Sequence, residues 1–332
     1  MKISIITVVY NNVDTIEQTI RSVLSQSYSD VEYIVIDACS TDGTSEIINK
    51  YIDYIDLYVR EPDSGIYNAF NKGIKHATGD VIGIINADDW YEDAAIENIY
   101  EKFRDQSIDI VYGNCNIVNE DKTIKAYPED IAYLNWFMCV SHPTVFVRKS
   151  VYNEIGLFDE TYRIASDFEF LLRAKQNGKR FGYIASTIAN FRTSGISSVS
   201  LDKCKVETDR IVYTTLNSDL FLSVLKKTAK GKRNVSIFGA GDWGHRLLFI
   251  LDFLGIDIDC FWDNDKKKWG QIFDNKNIVN PNGIKQYDGI VIIASYNYER
   301  EIFLQLMDYS LKDCIVVRLR DVIKMYDEAY FS

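Results

Sequence analysis

The stretch that most constrains this chain is Val81-Ile82-Gly83-Ile84-Ile85-Asn86-Ala87-Asp88-Asp89, an apolar run that stops at two adjacent carboxylates. A run this short and this apolar predicts a strand buried on both faces, in a parallel sheet with helices above and below it. Ligands of such sheets gather at the carboxyl ends of the strands, so Asp88 and Asp89 are expected at the mouth of a crevice. Hard carboxylate oxygens there suit Mg²⁺ or Mn²⁺ held against the phosphates of a nucleotide. An Asp at this position also suits the cap of a helix beginning near Asp93.

Composition bounds the remainder. The 332 residues are 47% apolar and 26% charged, which is enough for two globular cores. No apolar stretch approaches the ~20 residues of a membrane span, and the first residues enter a strand pattern instead of a charged and then apolar leader. A cytoplasmic location is the expectation. The cysteines at 39, 115, 139, 204, 260 and 314 form no Cys-x-x-Cys pair, so reduced thiols are expected. A formal net charge of −11 argues against nucleic acid as a partner, and an anionic substrate would need a local cation.

In chain order, Lys2 to Val9 reads as a strand ending at the polar turn Tyr10-Asn11-Asn12. Ile16, Ile20, Val23 and Leu24 then repeat at helical spacing. Val31 to Asp37 is the next strand, running into the turn-rich Ala38 to Thr44. Asp37 there suits either a hydrogen bond from a base or ribose or a turn. Leu57 to Arg60 is a short strand stopped at Pro62, and a helix from Gly65 places Ile66, Phe70 and Ile74 on its core line. Tyr67 and Asn71 fall on a different line that runs back towards Asp63, with Lys72 beside it, and this line faces either solvent or the crevice. Four strands with three helices in under ninety residues make a nucleotide-binding α/β half.

ITVVYNN at 6–12, VIDACSTDGT at 35–44, EPDSGIYNAFNKGIKHATGD at 61–80 and NADDWY at 86–91 resemble, in order and spacing, the family 2 glycosyltransferases of the GT-A fold. The likeness covers residues 1 to about 200 and is nearest to bacterial enzymes of capsule, O-antigen and exopolysaccharide assembly. It implies a nucleotide-sugar donor, with UDP favoured by family habit, and a saccharide or lipid-linked acceptor. Thr7, Val9, Tyr10, Asn11 and Asp37 would surround the nucleoside, and Asp63, Asn71 and Lys72 would complete the wall. Asp88 would ligate Mn²⁺ or Mg²⁺ within the motif Asn86, Ala87, Asp88, Asp89. Several residues depart from the commoner pattern: Ala38 and Asn86 where Asp is frequent, Ser166 where Glu is, and Phe70 where Arg is.

Further strands are expected at Asp109 to Asn114 and Pro143 to Val147, with Trp136, Phe137 and His142 between them on what resembles the sugar-acceptor side. Trp136 suits a sugar platform or a core, and His142 is similarly open. Ala165 to Arg173 resembles the family's base-bearing helix, which makes Asp167 the expected catalytic base. A helix amino terminus keeps a carboxylate ionised, although the same position suits a plain cap.

The domain organisation read from the sequence is a GT-A domain over 1–198, a helical linker over 199–233 and a Rossmann-like α/β domain over 234–332. The linker's basic end (Lys226, Lys227, Lys230, Lys232, Arg233) suits peripheral membrane contact or solvent. The last domain opens on Gly239-Ala240-Gly241-Asp242-Trp243-Gly244, with Asp263 closing the next strand, a spacing that allows close approach to a pyrophosphate. It resembles small modules attached to other polysaccharide enzymes that need not bind a dinucleotide. Two function classes stay open: an inverting, metal-dependent glycosyltransferase, and a non-catalytic nucleotide-binding or assembly protein using the Gly-rich module.

Overall fold

The computed structural model describes residues 1–119, 122–193, 201–309, 311 and 313–331. The chain forms two compact units, Met1–Thr208 and Asp209–Ser332. The expected boundary at 198/199 lies outside the described residues.

The first unit starts as the periodicity predicts. Strands β1 (Ile3–Val9), β2 (Val31–Asp37), β3 (Leu57–Arg60) and β4 (Val81–Asn86) alternate with helices α1 (Ile16–Leu24), α2 (Thr44–Asn49) and α3 (Ile66–His76). They pair in parallel in the order β3-β2-β1-β4. Strand direction then changes. After β5 (Trp90–Tyr91) and α4 (Ala95–Phe103) come β6 (Ile110–Val118), β7 (Thr123–Ala126), β8 (Phe146–Arg148), α5 (Lys149–Ile155), α6 (Ser166–Gln176) and β9 (Phe181–Arg192). The sheet continues past β4 as β8-β6-β9-β5, with β8 antiparallel to both β4 and β6, and β7 on β6.

Gly83 permits this join. It lies opposite Phe146 in the β4–β8 register, and a Cβ there would stand 2.3 Å from the Phe146 ring. One face of the sheet closes over Ile5, Val35, Ile85, Ile99, Phe103 and Phe146, all buried. The expected strand at Pro143 to Val147 is shorter than predicted: His142–Thr144 is a 3-10 turn, because Pro143 has no N–H to give a ladder, and pairing begins at Phe146. The twelve-residue β9, which the sequence pattern did not reveal, carries the end of the unit back to the crevice.

Helix α7 (Leu201–Thr215) spans the division between the units. In the second unit, α8 (Ser218–Ala229), capped by Asn217 Oδ1 on Leu220 N at 3.1 Å, precedes β10 (Val235–Phe238) and α9 (Asp242–Phe253). Strands β11 (Phe261–Trp262), β12 (Ile272–Phe273), β13 (Lys276–Val279) and β14 (Ile290–Ile293), helix α10 (Glu299–Met307), β15 (Ile315–Arg318) and α11 (Leu319–Tyr330) complete it. The sheet order is β12-β13-β11-β10-β14-β15, parallel except for the β12–β13 hairpin. Its core includes Phe238, Trp262, Val291, Ile293 and Leu306. All six cysteines are free thiols. No helix among the described residues is long and apolar enough to cross a membrane.

Candidate functional site

The order β3-β2-β1-β4 reverses direction between β1 and β4, so the crevice opens beyond their carboxyl ends, where Tyr10 and Ala87 follow. The turn after β4 is held by all three of its carbonyls. Thr15 Oγ1 donates to Ala87 O at 2.8 Å, Arg192 Nε to Asp88 O at 3.2 Å, and Thr19 Oγ1 to Asp89 O at 2.6 Å. These tethers fix the backbone and leave the side-chain oxygens over.

The two carboxylates part company there. Asp89 has no exposed surface; its Oδ1 accepts from Arg192 N at 2.9 Å, and its Oδ2 is buried without a partner, as is Asn86 Oδ1. Asp88 is half-buried, and its carboxylate receives no hydrogen bond from another described residue. Burial pushes the Asp88 carboxyl up, with nearby Arg192 opposing, and pushes Asp89 well up, reinforced by Asp88. Orphaned acceptors on one turn, with carboxyls raised by burial, are the donor set of a hard cation. The residues therefore fit Mn²⁺ or Mg²⁺. No cluster of three or more His, Cys, Asp or Glu poised for a metal occurs among the described residues, so Asp88 would act with water and a ligand's own oxygens. The reading of Asp89 as a helix cap does not hold, since α4 begins at Ala95 behind Ala94.

The nucleoside wall divides. Tyr10 is 64% exposed, and Asn11 sits at φ +52 with its Oδ1 accepting from Thr41 N at 2.8 Å. Both stand at the crevice. Thr7 instead shares a hydrogen bond with Tyr33 OH at 3.1 Å, deep in the sheet, and Val9 packs in the core. Asp37 corrects the expectation that it offers itself to a base or ribose. Fully buried, it accepts from Ser40 N (2.8 Å), Ser40 Oγ (2.7 Å), Ser45 Oγ (2.8 Å) and Tyr58 OH (2.9 Å), and pairs with Arg60 Nε at 3.3 Å. Burial pushes its carboxyl up, and these hydrogen bonds more than reverse that.

Asp63 Oδ1 accepts from Gly65 N at 3.0 Å at the start of α3, and Lys72 Nζ holds Pro62 O (2.6 Å) and Glu61 Oε1 (2.9 Å). Asn71 is a second correction. Only 4% exposed, it donates through Nδ2 to Phe158 O and Glu160 Oε1, both at 2.9 Å, and accepts from Phe158 N at 3.0 Å. It fastens the segment that leads to α6.

That segment presents Asp167 in the first turn of α6. Asp167 Oδ1 accepts from Phe168 N at 2.9 Å and lies 3.1 Å from Tyr67 OH, whose single proton it shares with Ile164 O at 2.6 Å. Glu207, on α7, takes the N–H groups of Arg163, Ile164 and Ala165 at 2.8, 2.8 and 2.9 Å. Asp167 and His142 line one pocket with Ile84, Val145, Val147, Tyr152, Phe158, Phe170 and Leu171. Strand β4 therefore supplies that pocket through Ile84 and carries Asp88 just past its end. Trp136, 1% exposed, belongs to the interior and offers no platform to a sugar. Sequence reasoning missed Arg192 and Glu207, for their partners lie 103 and 44 or fewer residues away and no local pattern marks them.

In the second unit the three glycines of the Gly-rich turn differ in what surrounds them. A Cβ on Gly244 would stand 1.9 Å from Gly239 O, and one on Gly239 2.7 Å from Ala294 O, so packing accounts for both, while Gly241 faces open space. Asp263, expected with these glycines at a nucleotide, accepts at Oδ2 from Ala240 N (2.9 Å) and Lys268 Nζ (3.1 Å) and at Oδ1 from Asp265 N (2.8 Å). On the β14 side, the Arg320 guanidinium lies 5.5 Å from the Trp243 ring and 5.1 Å from that of Tyr296.

A parallel half with an Asp-Asp turn at its switch point, continued by a mixed half carrying a carboxylate-tipped helix, is the GT-A glycosyltransferase fold. Solved structures agree in fold: Staphylococcus aureus TarS 1–349 in complex with UDP-GlcNAc superposes with a TM-score of 0.54 at 19% identity, over 76% of this chain and 72% of that one. A second TarS structure gives 0.52 at 21%, over 68% and 40%. The Glycosyl transferase family 2 model matches residues 4–192, and the chain belongs to that family. Residues 231–316 match the model described as C2185-like, N-terminal. Glycosyltransferase GlyA of Streptococcus pneumoniae is 30% identical over 123 residues, 36% of this chain but only 18% of GlyA. The putative teichuronic acid biosynthesis glycosyltransferase TuaG of Bacillus subtilis is 35% identical over 124 residues, 36% of this chain and 49% of TuaG. An uncharacterized glycosyltransferase of Mycobacterium tuberculosis is 29% identical over 203 residues, 59% of this chain and 77% of the relative.

Proposed function

We propose that this chain moves a sugar from a UDP-sugar to a saccharide or lipid-linked acceptor in bacterial surface polysaccharide synthesis, inverting the anomeric centre. The observation that carries the reading is the Asp88 carboxylate, which no other described residue bonds, at the switch-point crevice beside the orphaned Asn86 Oδ1 and Asp89 Oδ2. Asp88 would hold Mn²⁺ or Mg²⁺, and the ion, when bound, neutralises charge on the departing diphosphate. Tyr10 and Asn11 would meet the nucleoside. Asp167 accepts the proton of the acceptor hydroxyl, whose oxygen bonds the anomeric carbon as the bond from that carbon to the diphosphate oxygen breaks on the opposite face. Its Oδ2 is the oxygen left for that proton, since Oδ1 already accepts from Phe168 N and shares the Tyr67 proton.

The binding of UDP and UDP-GlcNAc by TarS, together with TuaG's assignment to teichuronic acid synthesis, favours a UDP-sugar and a surface polymer. The basic end of α8 is the surface we assign to membrane contact. The test is UDP release from UDP-GlcNAc and other sugar nucleotides with Mn²⁺. Asp167→Asn should lower kcat by about 10²–10⁴-fold, and Asp88→Asn should remove the Mn²⁺ dependence. Unchanged turnover of every donor by both variants defeats the reading.

A further inference from the structure

The base helix has a neighbour that its catalytic reading leaves unused. His142 stacks on Phe70, the ring centroids 5.1 Å apart and the planes within 4°. Its Nδ1 faces Asp167 Oδ2 at 3.8 Å, whereas its Nε2 is buried and bonds nothing. Apart from Tyr152, the rest of the pocket wall around the pair is apolar: Ile84, Val145, Val147, Phe158, Phe170 and Leu171.

Each ring nitrogen constrains the proton. A ring protonated at Nε2 would bury an N–H with no acceptor and turn a lone pair towards a carboxylate. One protonated at Nδ1 aims its donor at the anion and leaves only a lone pair unmet. A doubly protonated ring would carry charge into an apolar wall. Burial moves the His142 pKa down, with Asp167 opposing it, which favours the neutral ring. The titratable groups that face the ring are Asp167 from α6 and Tyr152 from α5, with Tyr67 of α3 behind Asp167.

We infer that His142 is the positioning residue of Asp167: a neutral imidazole, protonated on Nδ1, whose N–H points at Oδ2, the oxygen that takes the proton of the acceptor hydroxyl. This role rests on Asp167 acting as the base. At 3.8 Å the contact is longer than a hydrogen bond and too short for an intervening water, so the N–H acts on Oδ2 as a dipole. With Tyr67 and the Phe168 N–H on Oδ1, it biases the carboxylate towards one orientation. The stacked Phe70 ring, where the family often has arginine, holds the imidazole plane without competing for Asp167.

Two measurements on the full chain decide it. Long-range ¹H–¹⁵N spectra of the three histidine rings, His142 identified by substitution, should show it neutral with the proton on Nδ1 between about pH 6 and 8, and Asp167→Asn should shift that signal. A proton on Nε2, a charged ring at pH 7, or indifference to Asp167→Asn overturns the inference. In kinetics with UDP-GlcNAc and Mn²⁺, His142→Ala should lower kcat by about ten-fold with donor KM unchanged and move the acid limb of the kcat profile to higher pH. His142→Asn, whose amide nitrogen replaces Nδ1, should restore much of the rate, and His142→Gln, whose amide replaces Nε2, should not. Equal activity of the Asn and Gln variants overturns the role. So does an unimpaired His142→Ala when Asp167→Asn is dead, and there the base assignment survives. Full turnover in Asp167→Asn overturns the base and this role together.

Discussion

Asn71 separates two roles that its sequence context left together. Asn71→Ala removes the amide that satisfies both the N–H and the C=O of Phe158, at 3.0 and 2.9 Å. Phe158 is itself only 6% exposed, so water cannot replace the lost partners. An orphaned buried polar group costs ~1–3 kcal/mol, which makes the pair worth ~2–4 kcal/mol after some relaxation. The lost bond to Glu160 adds little, because that carboxylate keeps Asn68 Nδ2 at 2.9 Å. For a unit of roughly two hundred residues, that destabilisation lowers the melting temperature by about 5–15 °C. Thermal unfolding, followed by hydrogen exchange in peptides from residues 1–208, reads it directly. The same change loosens the segment leading to Asp167, so kcat should fall while donor KM holds. A residue of the donor wall would do the reverse, raising KM at an unmoved melting temperature, and that result would refute the argument from Phe158.

Other consequences follow from the same coordinates. Burial pushes the Glu32 carboxyl up, but hydrogen bonds from Lys2, Ser4 and Thr78 prevail and hold it at about 2 against the usual 4.5. Its stabilisation is therefore complete above about pH 4.5 and disappears as pH falls towards 2, so Glu32→Gln should be less stable than the parent by ~3 kcal/mol at pH 7, the gap closing in that window of urea titrations. Glu207→Ala frees three backbone N–H groups ahead of α6 and should lower kcat more than it raises KM; steady-state kinetics showing only a KM change would contradict the clasp. Gly244→Ala drives a methyl to 1.9 Å from Gly239 O and should destabilise residues 209–332 by ~1–3 kcal/mol or more, seen as faster exchange in β10 and α9 peptides with sugar-nucleotide turnover unchanged.

Much of the fold was legible in the chain. Period-2 and period-3.6 patterns place β1 to β4 and α1 and α3 within a residue or two, and the run from Val81 ends at Asp88 because a parallel strand buried on both faces must stop where carboxylates begin. The motif order was enough for the GT-A resemblance, which the family match over residues 4–192 bears out. The mixed half was harder, since short strands such as Phe146–Arg148 and Trp90–Tyr91 take their identity from the strands beside them. Pattern reports which face of an element is buried. It is silent on what each polar atom meets.

That silence covers the chemistry of the site. Asp37, Asp88, Asp89 and Asp263 all follow or end strands and look alike in sequence, yet Asp37 is consumed by Ser40, Ser45, Tyr58 and Arg60, and Asp263 by Ala240, Lys268 and Asp265. Asp88 alone keeps its carboxylate clear of other described residues, because Thr15, Thr19 and Arg192 bind the turn by its carbonyls. Hydrogen-bond donors reach those oxygens from as far as 104 residues along the chain. The sequence determined where carboxylates sit on the sheet; only the tertiary structure, by bringing distant donors to some and not to others, decided which of them remain free to act.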